Sequence, residues 1–386
     1  MLIVHVSDCY APRTGGIESQ VGDLAARQVA AGHEVHVLTA TLGVGGERGG
    51  VVDREHGVHV HRLGARIPFD LPVNPVGPRL VREAYAALRP DVVHVHAGVL
   101  SPFAYDGARI ALDLGLPTAI TWHCMLDGVV GALRAAVGRT RWQQTPAALS
   151  AVSHAAAARV RQVFGTEVSV MPNGIDLDLW APRTFSEGRG RPGEQGPLRL
   201  VSTMRLAPRK RAVPLVELVG QAARRLPPDR LRLSIIGSGP AQGRVSSTVA
   251  EQGLQHVVEL RGRLTRPQVR SAYTDAEVFL APAELEAFGI AALEARTAGL
   301  AIVARRGTGI EEFVEDGVDG LLVADDAEMT EAIVHLARDG RLLDGMLTHN
   351  RAVRPRFGWD DVLGAADAEY ARARAAKSPT SSPAPH

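Results

Sequence analysis

Short apolar runs rich in β-branched residues alternate with longer helical patterns along almost the whole chain. This alternation is typical of α/β folds with parallel sheets, because strands covered by helices on both faces are apolar throughout. One segment interrupts the series: residues 181–197 are rich in glycine and proline, and only polar residues, glycine and proline stand between Phe185 and Leu198. The sequence therefore predicts two α/β domains joined by a linker.

The predicted elements form one series before this linker and a second series after it. Before it, strands are predicted at Leu2–Ser7, Glu34–Thr39, Val58–Leu63, Asp91–His96, Thr118–Thr121, Ala148–Val152 and Val168–Met171, and helices at Glu18–Ala31, Pro102–Leu114 and Ala155–Phe164. After it, strands are predicted at Leu198–Thr203, Leu231–Ile236, Val257–Arg261, Ala276–Leu280, Leu300–Ala304 and Gly320–Val323, and a last helix at Trp359–Arg374.

The length of 386 residues also favours two domains, because it exceeds what one ordinary hydrophobic core accommodates. We predict Rossmann-like domains over residues 1–180 and 198–357, with the linker at 181–197 between them. A helix over 358–376 is expected to pack back across the interface, and the Ser/Pro/Ala-rich tail 377–386 to be disordered. Ligands of such sheets bind beyond the carboxyl ends of the strands, so the expected site is a cleft between the domains.

Composition excludes several classes of function. The formal net charge of +1 gives no electrostatic footprint for nucleic acid. No apolar run approaches the 18 or so residues of a transmembrane helix, and the N-terminus lacks the pattern of a signal peptide. Cys9 and Cys124 show neither metal nor disulfide spacing, which fits a reducing compartment. We therefore expect a cytoplasmic protein without a nucleic-acid partner.

Peripheral contact with the inner face of a membrane stays open at this stage. The segment Val129–Trp142 is largely apolar and carries Arg134, Arg139 and Arg141. An amphipathic helix of this composition can lie on an anionic membrane surface. A buried helix with exposed arginines explains the same pattern equally well.

The most informative stretch joins a predicted strand to the helix that follows it. At that helix N-terminus the backbone N–H groups of Phe288, Gly289 and Ile290 are expected to lack partners, and with the helix dipole they form a site for phosphate. Glu286 stands before this site and Glu294 behind it, and each carboxylate can accept hydrogen bonds from sugar hydroxyls. The arrangement suits a diphosphate flanked by two sugars. The alternative is an acidic first turn followed by a solvent-facing glutamate.

This stretch and several others resemble the signature of glycosyltransferase family 4, whose members are retaining enzymes of the GT-B fold. The resemblance extends over nearly the whole chain, and it is specific because the motifs occur in the family's order. The segments that carry it are 12–18, 91–96, 172–176, 205–210, 236–240, 286–299 and 309–317. The resemblance implies two Rossmann-like domains facing each other across a cleft, the first on the acceptor side and the second on the donor side.

Five residues acquire roles through the resemblance. Arg205 and Lys210 would neutralise the diphosphate, on which negative charge develops as it leaves. Glu286 would hold hydroxyls of the transferred sugar, and Glu294 would bond the ribose of the nucleotide. His123 would lie near the anomeric centre of the donor sugar. Lys210 is notable because only two of the 43 basic residues are lysines, so a compact ammonium is kept where arginine would be usual.

The pair Gly15-Gly16 follows the first predicted strand and precedes the first predicted helix. Glycine there lets backbone N–H groups approach a phosphate or an acceptor without a Cβ clash, so Gly16 is predicted to bind the donor. A simple tight turn is the alternative. Two departures from the family pattern, Met204 in place of a glycine before Arg205 and Thr308 before Gly309, leave the shape of the phosphate loop open.

Three histidines raise the alternative of a metal site. His94 and His96 alternate on one strand, and His123 ends the next one. No carboxylate follows at ligand spacing, so packing or acceptor contact is favoured for the first two. We expect no metal and no cofactor.

The predicted function is transfer of a hexosyl group from a UDP- or GDP-linked sugar to an acceptor hydroxyl with retention. The resemblance implies a front-face mechanism in which the departing phosphate helps to deprotonate the acceptor. A lipid, an inositol phosphate, an envelope glycan and a natural product all remain open as acceptors. Two other functions were weighed: a non-catalytic protein that binds sugar nucleotides, and an NAD-dependent oxidoreductase using Gly237-Ser238-Gly239, although Gln242 occupies the third glycine position of that fingerprint.

Overall fold

The computed structural model describes residues 1–13, 15–42, 50–65, 74–138, 146–182 and 196–377, which form two compact units. Unit 1 comprises Met1–Gly174 and the chain from Trp359 onward, and unit 2 comprises Ile175–Gly358. This division differs from the predicted bounds in two ways: residues 175–180 belong to unit 2, and the last helix belongs to unit 1. Most of the predicted linker and nearly all of the predicted tail lie outside the described residues.

Unit 1 is built on a sheet whose described strands lie in the order β3-β4-β2-β1-β5-β6-β7-β8. All neighbouring strands are parallel except the pair β3 and β4. Its elements are β1 (Leu2–Ser7), α1 (Gly16–Ala30), β2 (Glu34–Thr39), β3 (Val51–Glu55), β4 (Val58–Arg62), α2 (Gly77–Leu88), β5 (Val92–Ala97), α3 (Pro102–Asp113), β6 (Thr118–Trp122), α4 (Val130–Gly138), β7 (Ala147–Ala151), α5 (His154–Phe164) and β8 (Ser169–Val170), together with α13 (Trp359–Lys377).

The centre of this sheet is apolar on both faces because helices cover both. In β1, Ile3 and Val4 are fully buried although they point to opposite sides of the sheet. Helix α1 turns Leu24 inward and ends before Gly32, which adopts a φ of +88°. This glycine stands one residue past the C-cap, where the left-handed conformation is disfavoured for other residues.

Helix α13 returns the end of the chain to unit 1. Its inward side chains are spaced three or four residues apart, as one face of a helix requires. They are Trp359, Val362, Ala366, Tyr370 and Ala373, and they pack on Ile3, Val92, Ala119 and Ala148 of the sheet. The helix is therefore part of the core of unit 1, although it follows unit 2 in sequence.

Unit 2 contains a second parallel sheet, whose described strands lie in the order β11-β10-β9-β12-β13-β14. Its elements are α6 (Leu177–Trp180), β9 (Leu198–Thr203), α7 (Ala212–Arg224), β10 (Leu231–Ile236), α8 (Gln242–Glu251), β11 (Val258–Gly262), α9 (Arg266–Thr274), β12 (Val278–Ala281), α10 (Ile290–Thr297), β13 (Ala301–Arg305), β14 (Gly320–Val323), α11 (Asp326–Arg338) and α12 (Gly340–Ala352). Aliphatic side chains of the strands and of α7, α8, α11 and α12 form its core.

The two sheets confirm the predicted α/β class, and five strands have the predicted bounds: β1, β2, β9, β10 and β14. Strand β3 was not predicted. It is an edge strand paired antiparallel with β4, and its residues Asp53, Arg54 and Glu55 break the apolar pattern by which strands were recognised. None of the described helices is both long enough and apolar enough to span a membrane.

Candidate functional site

Arg205 stands just beyond the carboxyl end of β9 in an extended segment. Leu206 donates its backbone N–H to the Ser238 carbonyl at 3.0 Å, so the segment runs alongside the loop after β10. A Cβ on Gly237 would lie 1.9 Å from the Met204 carbonyl oxygen, so only glycine permits this approach. The Arg205 side chain is exposed, and its guanidinium has no hydrogen bond or ion pair within the part of the chain that the structure describes. It is available to an anion.

Lys210 ends a short 3-10 turn, Pro208–Lys210, and forms an ion pair with Glu286. Both side chains are about four-fifths buried: 24% of Lys210 and 21% of Glu286 is exposed. The tertiary structure thus brings together two predicted site residues that are 76 positions apart in sequence. Partial burial strengthens the attraction between the two charges, and the exposed fraction of each side chain still reaches solvent.

A second set of ion pairs supports this turn from behind. Arg211 contacts Glu284 at 2.8 Å and Asp326 at 2.5 Å, and Arg305 contacts Glu284 at 3.1 Å. Arg211 has a φ of 61°, in the left-handed region, and is the N-cap of α7. These contacts tie the start of α7 to the loop before α10 and to the first turn of α11. Sequence reasoning missed this network because its members lie in four separate segments, and nothing in the sequence indicates which charged residues will meet.

The loop before α10 is the place where the sequence predicts an anion site. Gly289 is the N-cap of this helix with a φ of 90°, and a Cβ there would lie 2.6 Å from Ile310 Cγ1. The loop is held by Gly309, whose N–H donates to the Glu286 carbonyl at 2.8 Å. Among the described residues no acceptor contacts the N–H groups of Phe288, Gly289 and Ile290. Unpaired N–H groups at a helix N-terminus attract anions.

Phe288 contributes to this site through its backbone only. Its side chain is buried and packs against Phe313 and Phe357, with ring centroids 5.6 and 5.5 Å apart. The ring therefore anchors the loop in the core of unit 2. The predicted role of Phe288 as a donor-binding residue can apply to its N–H group but not to its ring.

Glu294 lies on α10, one helical turn after the first residue of the helix. Its side chain is partly exposed. The buried phenol of Tyr273 is close by: burial raises the Tyr273 pKa well above its usual value, and the charge of Glu294 adds to that rise. Glu294 thus follows the open N–H groups on the same helix, and its contact with the ribose stays a prediction.

Gly16 and His123 belong to unit 1. Gly16 is exposed and is the first residue of α1, after Gly15 in extended backbone. His123 follows β6 and donates its backbone N–H to the Ala97 carbonyl at 2.9 Å. Both therefore lie at the carboxyl edge of the parallel sheet of unit 1, where ligands of such sheets bind.

The His123 ring is half-buried and neutral near pH 7. Burial lowers its pKa to about 4, and a side-chain hydrogen bond with Asn173 opposes part of that shift. A neutral imidazole has one donor and one acceptor nitrogen. Its Nε2 lies 3.0 Å from Nδ1 of His96, which is one of several buried histidines behind it. His123 can therefore act as a hydrogen-bonding group but carries no positive charge.

The two departures from the family pattern are accommodated locally. Thr308 is buried and accepts the Ile310 N–H at the start of the 3-10 turn Gly309–Glu312. Its own hydroxyl donates to the Arg305 carbonyl at 2.8 Å. Met204 packs against the core of unit 2, and its carbonyl faces Gly237. Neither residue displaces Arg205, Lys210 or the loop before α10.

Two family models match the chain. The model for Glycosyltransferase Family 4 matches residues 14–179, and the model for Glycosyl transferases group 1 matches residues 197–339. Together they include most of both units. The chain belongs to the family 4 glycosyltransferases.

Relatives of this glycosyltransferase match most of its length. The chain is 27% identical over 380 residues to a phosphatidylinositol N-acetylglucosaminyltransferase subunit from Arabidopsis thaliana, a match that covers 96% of this chain and 82% of that protein. It is 28% identical over 371 residues to D-inositol 3-phosphate glycosyltransferase from Arthrobacter sp. (strain FB24), covering 86% of this chain and 85% of that protein.

A solved structure identifies the fold of the glycosyltransferase. The Anabaena HepE protein, solved in complex with UDP and glucose, superposes with a TM-score of 0.73 at 18% identity. The match covers 95% of this chain and 99% of that chain. The predicted GT-B fold is confirmed. The family models and the two relatives, all of them glycosyltransferases, set aside the alternatives of an oxidoreductase and of a non-catalytic binding protein.

Proposed function

We propose that this glycosyltransferase moves a hexosyl group from a UDP- or GDP-linked sugar to an acceptor hydroxyl, with retention at the anomeric carbon. The observation that carries the proposal is the group of anion-binding elements on unit 2: Arg205, Lys210 and the open N–H groups before α10. Two cations and several N–H groups match the charge of a diphosphate leaving group. HepE, bound to UDP, supports this donor class for the fold.

Lys210 and Glu286 would divide their tasks when the donor binds. The ammonium has three donor hydrogens, so it can bond a phosphate oxygen while it keeps the Glu286 carboxylate in place. The carboxylate keeps free acceptor capacity for hydroxyls of the transferred sugar. In this proposal the ion pair orders both side chains before the donor arrives, which lowers the entropic cost of binding.

The remaining donor contacts follow from the positions of the side chains. Glu294, behind the N–H groups, would accept hydrogen bonds from the ribose hydroxyls. Gly16 and His123 of unit 1 would contact the phosphate and the transferred sugar or the acceptor. Because the cations of unit 2 supply the charge neutralisation, the proposed mechanism needs no divalent metal.

The proposed mechanism is a front-face displacement. The glycosidic bond to the diphosphate breaks, the departing phosphate oxygen takes the proton of the acceptor hydroxyl, and the new bond forms on the same face of the sugar. No protein carboxylate is assigned as a covalent nucleophile. Arg205 and Lys210 act on the charge that develops on the leaving oxygen, so their removal should affect turnover more than folding.

For the acceptor we propose an inositol phosphate, free or carried by a lipid. Both curated relatives described above have acceptors of this class in their names. An envelope glycan and a natural product remain as the other acceptors to test. The choice between a free and a lipid-linked acceptor decides whether the protein works at a membrane surface.

The first experiment is a thermal-shift panel of UDP, GDP, ADP, TDP and NAD in EDTA. A rise in melting temperature with one nucleoside diphosphate would support the donor site and identify the base. The sugar nucleotides of that base are then incubated with inositol phosphates, and the anomeric configuration of the product is read by NMR. A stabilising effect of NAD alone, an inverted product or a strict requirement for a metal would each contradict the corresponding part of the proposal.

A further inference from the structure

Behind His123, a series of hydrogen-bonded side chains runs through unit 1, which we call the histidine series. His123 Nε2 lies 3.0 Å from His96 Nδ1, and His96 Nε2 lies 2.9 Å from His5 Nδ1. His5 Nε2 lies 2.7 Å from Gln28 Oε1. Apart from the half-buried His123, these side chains are at most 3% exposed. A single series of hydrogen bonds therefore connects the candidate site to an amide inside the core.

The same amide begins a second series in the other direction. Gln28 Nε2 donates to the Tyr370 hydroxyl at 2.8 Å, and that hydroxyl lies 3.0 Å from His94 Nδ1. His94 Nε2 lies 2.8 Å from the Thr121 hydroxyl. Gln28 is thus the junction of two arms, one that ends at His123 and one that ends at Thr121.

The buried histidines of this series are neutral, which determines how their protons are arranged. Burial lowers the pKa of His5 to about 4 and lowers the pKa values of His94 and His96 well below the usual range. A neutral imidazole donates from one nitrogen and accepts at the other. In a series of such rings, the role of the first ring therefore dictates the role of every ring after it.

The Gln28 amide starts the series in a defined direction. Its Oε1 can only accept, so His5 carries its proton on Nε2 and accepts at Nδ1. His96 must then donate from Nε2 to His5 and accept at Nδ1. His123 in turn must donate from Nε2. The series leaves Nδ1 of His123 with the lone pair.

The far arm ends on groups that are compatible with the same direction. The Tyr370 hydroxyl accepts from Gln28 and donates to His94, whose Nε2 proton then points to Thr121. The Thr121 hydroxyl has two acceptors within reach, Ser150 Oγ at 2.8 Å and Met171 Sδ at 3.5 Å. When Thr121 accepts from His94, its own hydroxyl proton can go to either of these groups, so this end of the arm is compatible with the direction set by Gln28.

We propose that Gln28 is a positioning residue that fixes His123 in the tautomer with its proton on Nε2. Turning the Gln28 amide by half a rotation would exchange donor and acceptor at every step of both arms. The amide therefore acts on the His123 tautomer through His5 and His96, without contact with the ligand. Nε2 of His123 faces His96, so the Asn173 side chain that bonds this ring would have to donate its amide N–H to Nδ1. In the transfer reaction, a consequence that rests on the proposed function, a sugar or acceptor hydroxyl would replace Asn173 as the donor to Nδ1.

A metal site is the competing explanation for the same histidines. Ring nitrogens of His5, His94 and His96 lie within 4.8 Å of one another. A metal ion would use lone pairs that the hydrogen bonds require, so it would interrupt the series between His5 and His96. The two explanations therefore exclude each other, and a metal assay separates them.

The test determines the tautomer of His123 directly. Full-length protein labelled with ¹⁵N-histidine is studied by NMR, which distinguishes protonated from bare ring nitrogens, and the His123 signals are assigned with His123→Asn. Gln28→Leu is compared with Gln20→Leu, a matched control on the same helix: Gln20 is also buried, but among the described residues its side chain bonds the backbone of Gly174 and not the histidines. Zinc and other metals are measured on the same samples.

In wild type and in Gln20→Leu we expect His123 protonated on Nε2 alone, whereas Gln28→Leu should give both tautomers. Donor turnover in Gln28→Leu should fall by about twofold for an even mixture, since activity scales with the competent fraction. A proton on Nδ1 in wild type, an unchanged tautomer in Gln28→Leu, or one bound metal ion per chain would overturn the proposal. An altered tautomer in a protein that transfers no sugar would leave it standing and would count against the proposed function alone.

If Gln28→Leu does not fold, Tyr370→Phe takes its place. It removes only the hydroxyl that holds the Gln28 amide and should also give both His123 tautomers. Its matched control is Tyr85→Phe. Tyr85 is also buried, but its hydroxyl donates to the Gly107 carbonyl, which is not part of the hydrogen-bonded series. A single Nε2 tautomer in Tyr370→Phe would contradict the coupling through Gln28.

Discussion

The histidine series of unit 1 and the segments of unit 2 that carry Arg205, Lys210 and the loop before α10 arrange their polar groups in opposite ways. In unit 1 the polar side chains are buried, neutral and bonded to one another, from His123 to Thr121. In unit 2 the side chains of Arg205 and Lys210 are charged and reach solvent. Buried polar groups need hydrogen-bond partners inside the protein, whereas exposed cations are hydrated and can exchange water for a ligand.

This difference fits the proposed function, in which unit 2 binds the donor diphosphate and the buried series of unit 1 orients His123. The unit 1 series is complete within the protein, so it can orient His123 but has little capacity left for a ligand. Among the described residues of unit 2, the N–H groups before α10 and the Arg205 guanidinium have no partner. Their hydrogen-bonding capacity is therefore available to a ligand. Four predictions test this contrast, in order of decreasing expected effect.

The largest effect is expected for Lys210→Ala. In the proposed mechanism, loss of the ammonium removes a charge that acts on the leaving diphosphate and should lower turnover roughly 100- to 1,000-fold. The melting temperature should fall as well, because the largely buried Glu286 loses its partner, but the protein should remain folded. Steady-state kinetics with the sugar nucleotide chosen by the thermal-shift panel measures the turnover. Arg225→Ala is the matched control, because it also breaks an ion pair of unit 2, the exposed one with Glu331, and should retain turnover. Equal losses in both variants would show that the contrast is wrong.

Acid should destabilise unit 1 before unit 2. The pKa values of His5, His61 and His123 are lowered to about 4 by burial, whereas the unfolded chain binds these protons near pH 6.5. The folded state therefore binds fewer protons between these values, and its stability falls as the pH drops from about 6.5 towards 4. For the fully buried His5 the loss is of the order of 3 kcal/mol.

Hydrogen exchange measured by mass spectrometry at pH 7 and pH 5 checks this acid effect. Peptides of the unit 1 sheet should lose protection at pH 5, and peptides of the unit 2 sheet serve as the internal reference. Equal losses in the two sheets would show that the buried histidines do not set the acid stability of unit 1.

Gly289→Ala should weaken unit 2 and its anion site together. The backbone has a φ of 90° there, and the added Cβ would meet Ile310 Cγ1 at 2.6 Å. We expect a loss of about 1–3 kcal/mol in the free energy of unfolding, followed by urea denaturation. Gly243→Ala, in α8 with no atom near its Cβ position, is the control and should be neutral or slightly stabilising. If Gly289→Ala unfolds like the control, the loop is less constrained than the structure implies.

Glu294→Ala should have the smallest effect, about a tenfold weaker affinity for the nucleoside diphosphate. The reason is the loss of a charged acceptor for the ribose hydroxyls, and calorimetric titration measures it. Glu217→Ala removes an exposed glutamate of α7 and should leave the affinity unchanged. An unchanged affinity in Glu294→Ala would remove this residue from the site.

Much of the fold could be predicted because parallel strands buried on both faces are written as apolar runs. Strands β1, β2, β9, β10 and β14 were located to the residue for this reason. The edge strand β3 could not be found in this way, because none of its five residues is fully buried and three of them are charged. The sequence predicts the last helix but does not predict that it belongs to unit 1. An apolar helix face has the same sequence pattern whichever sheet it covers.

The candidate site shows the same division between what is local and what is distant in sequence. The loop before α10 was predicted because its residues are adjacent, and a helix N-terminus has open N–H groups wherever it occurs. The network of Arg211, Glu284, Arg305 and Asp326 was not predicted. Single charged residues in separate segments carry no signal of which partner they will meet.

The sequence by itself determined the α/β class, the two series of strands and the types of residue that can bind a sugar nucleotide. Periodicity, glycine spacing and the family's motif order are local properties, and they are sufficient for these conclusions. The tertiary structure decided that Lys210 pairs with Glu286 and that His123 is bonded through His96 and His5 to Gln28. Such pairings depend on strand order and packing, which bring together groups that are tens of residues apart in the chain.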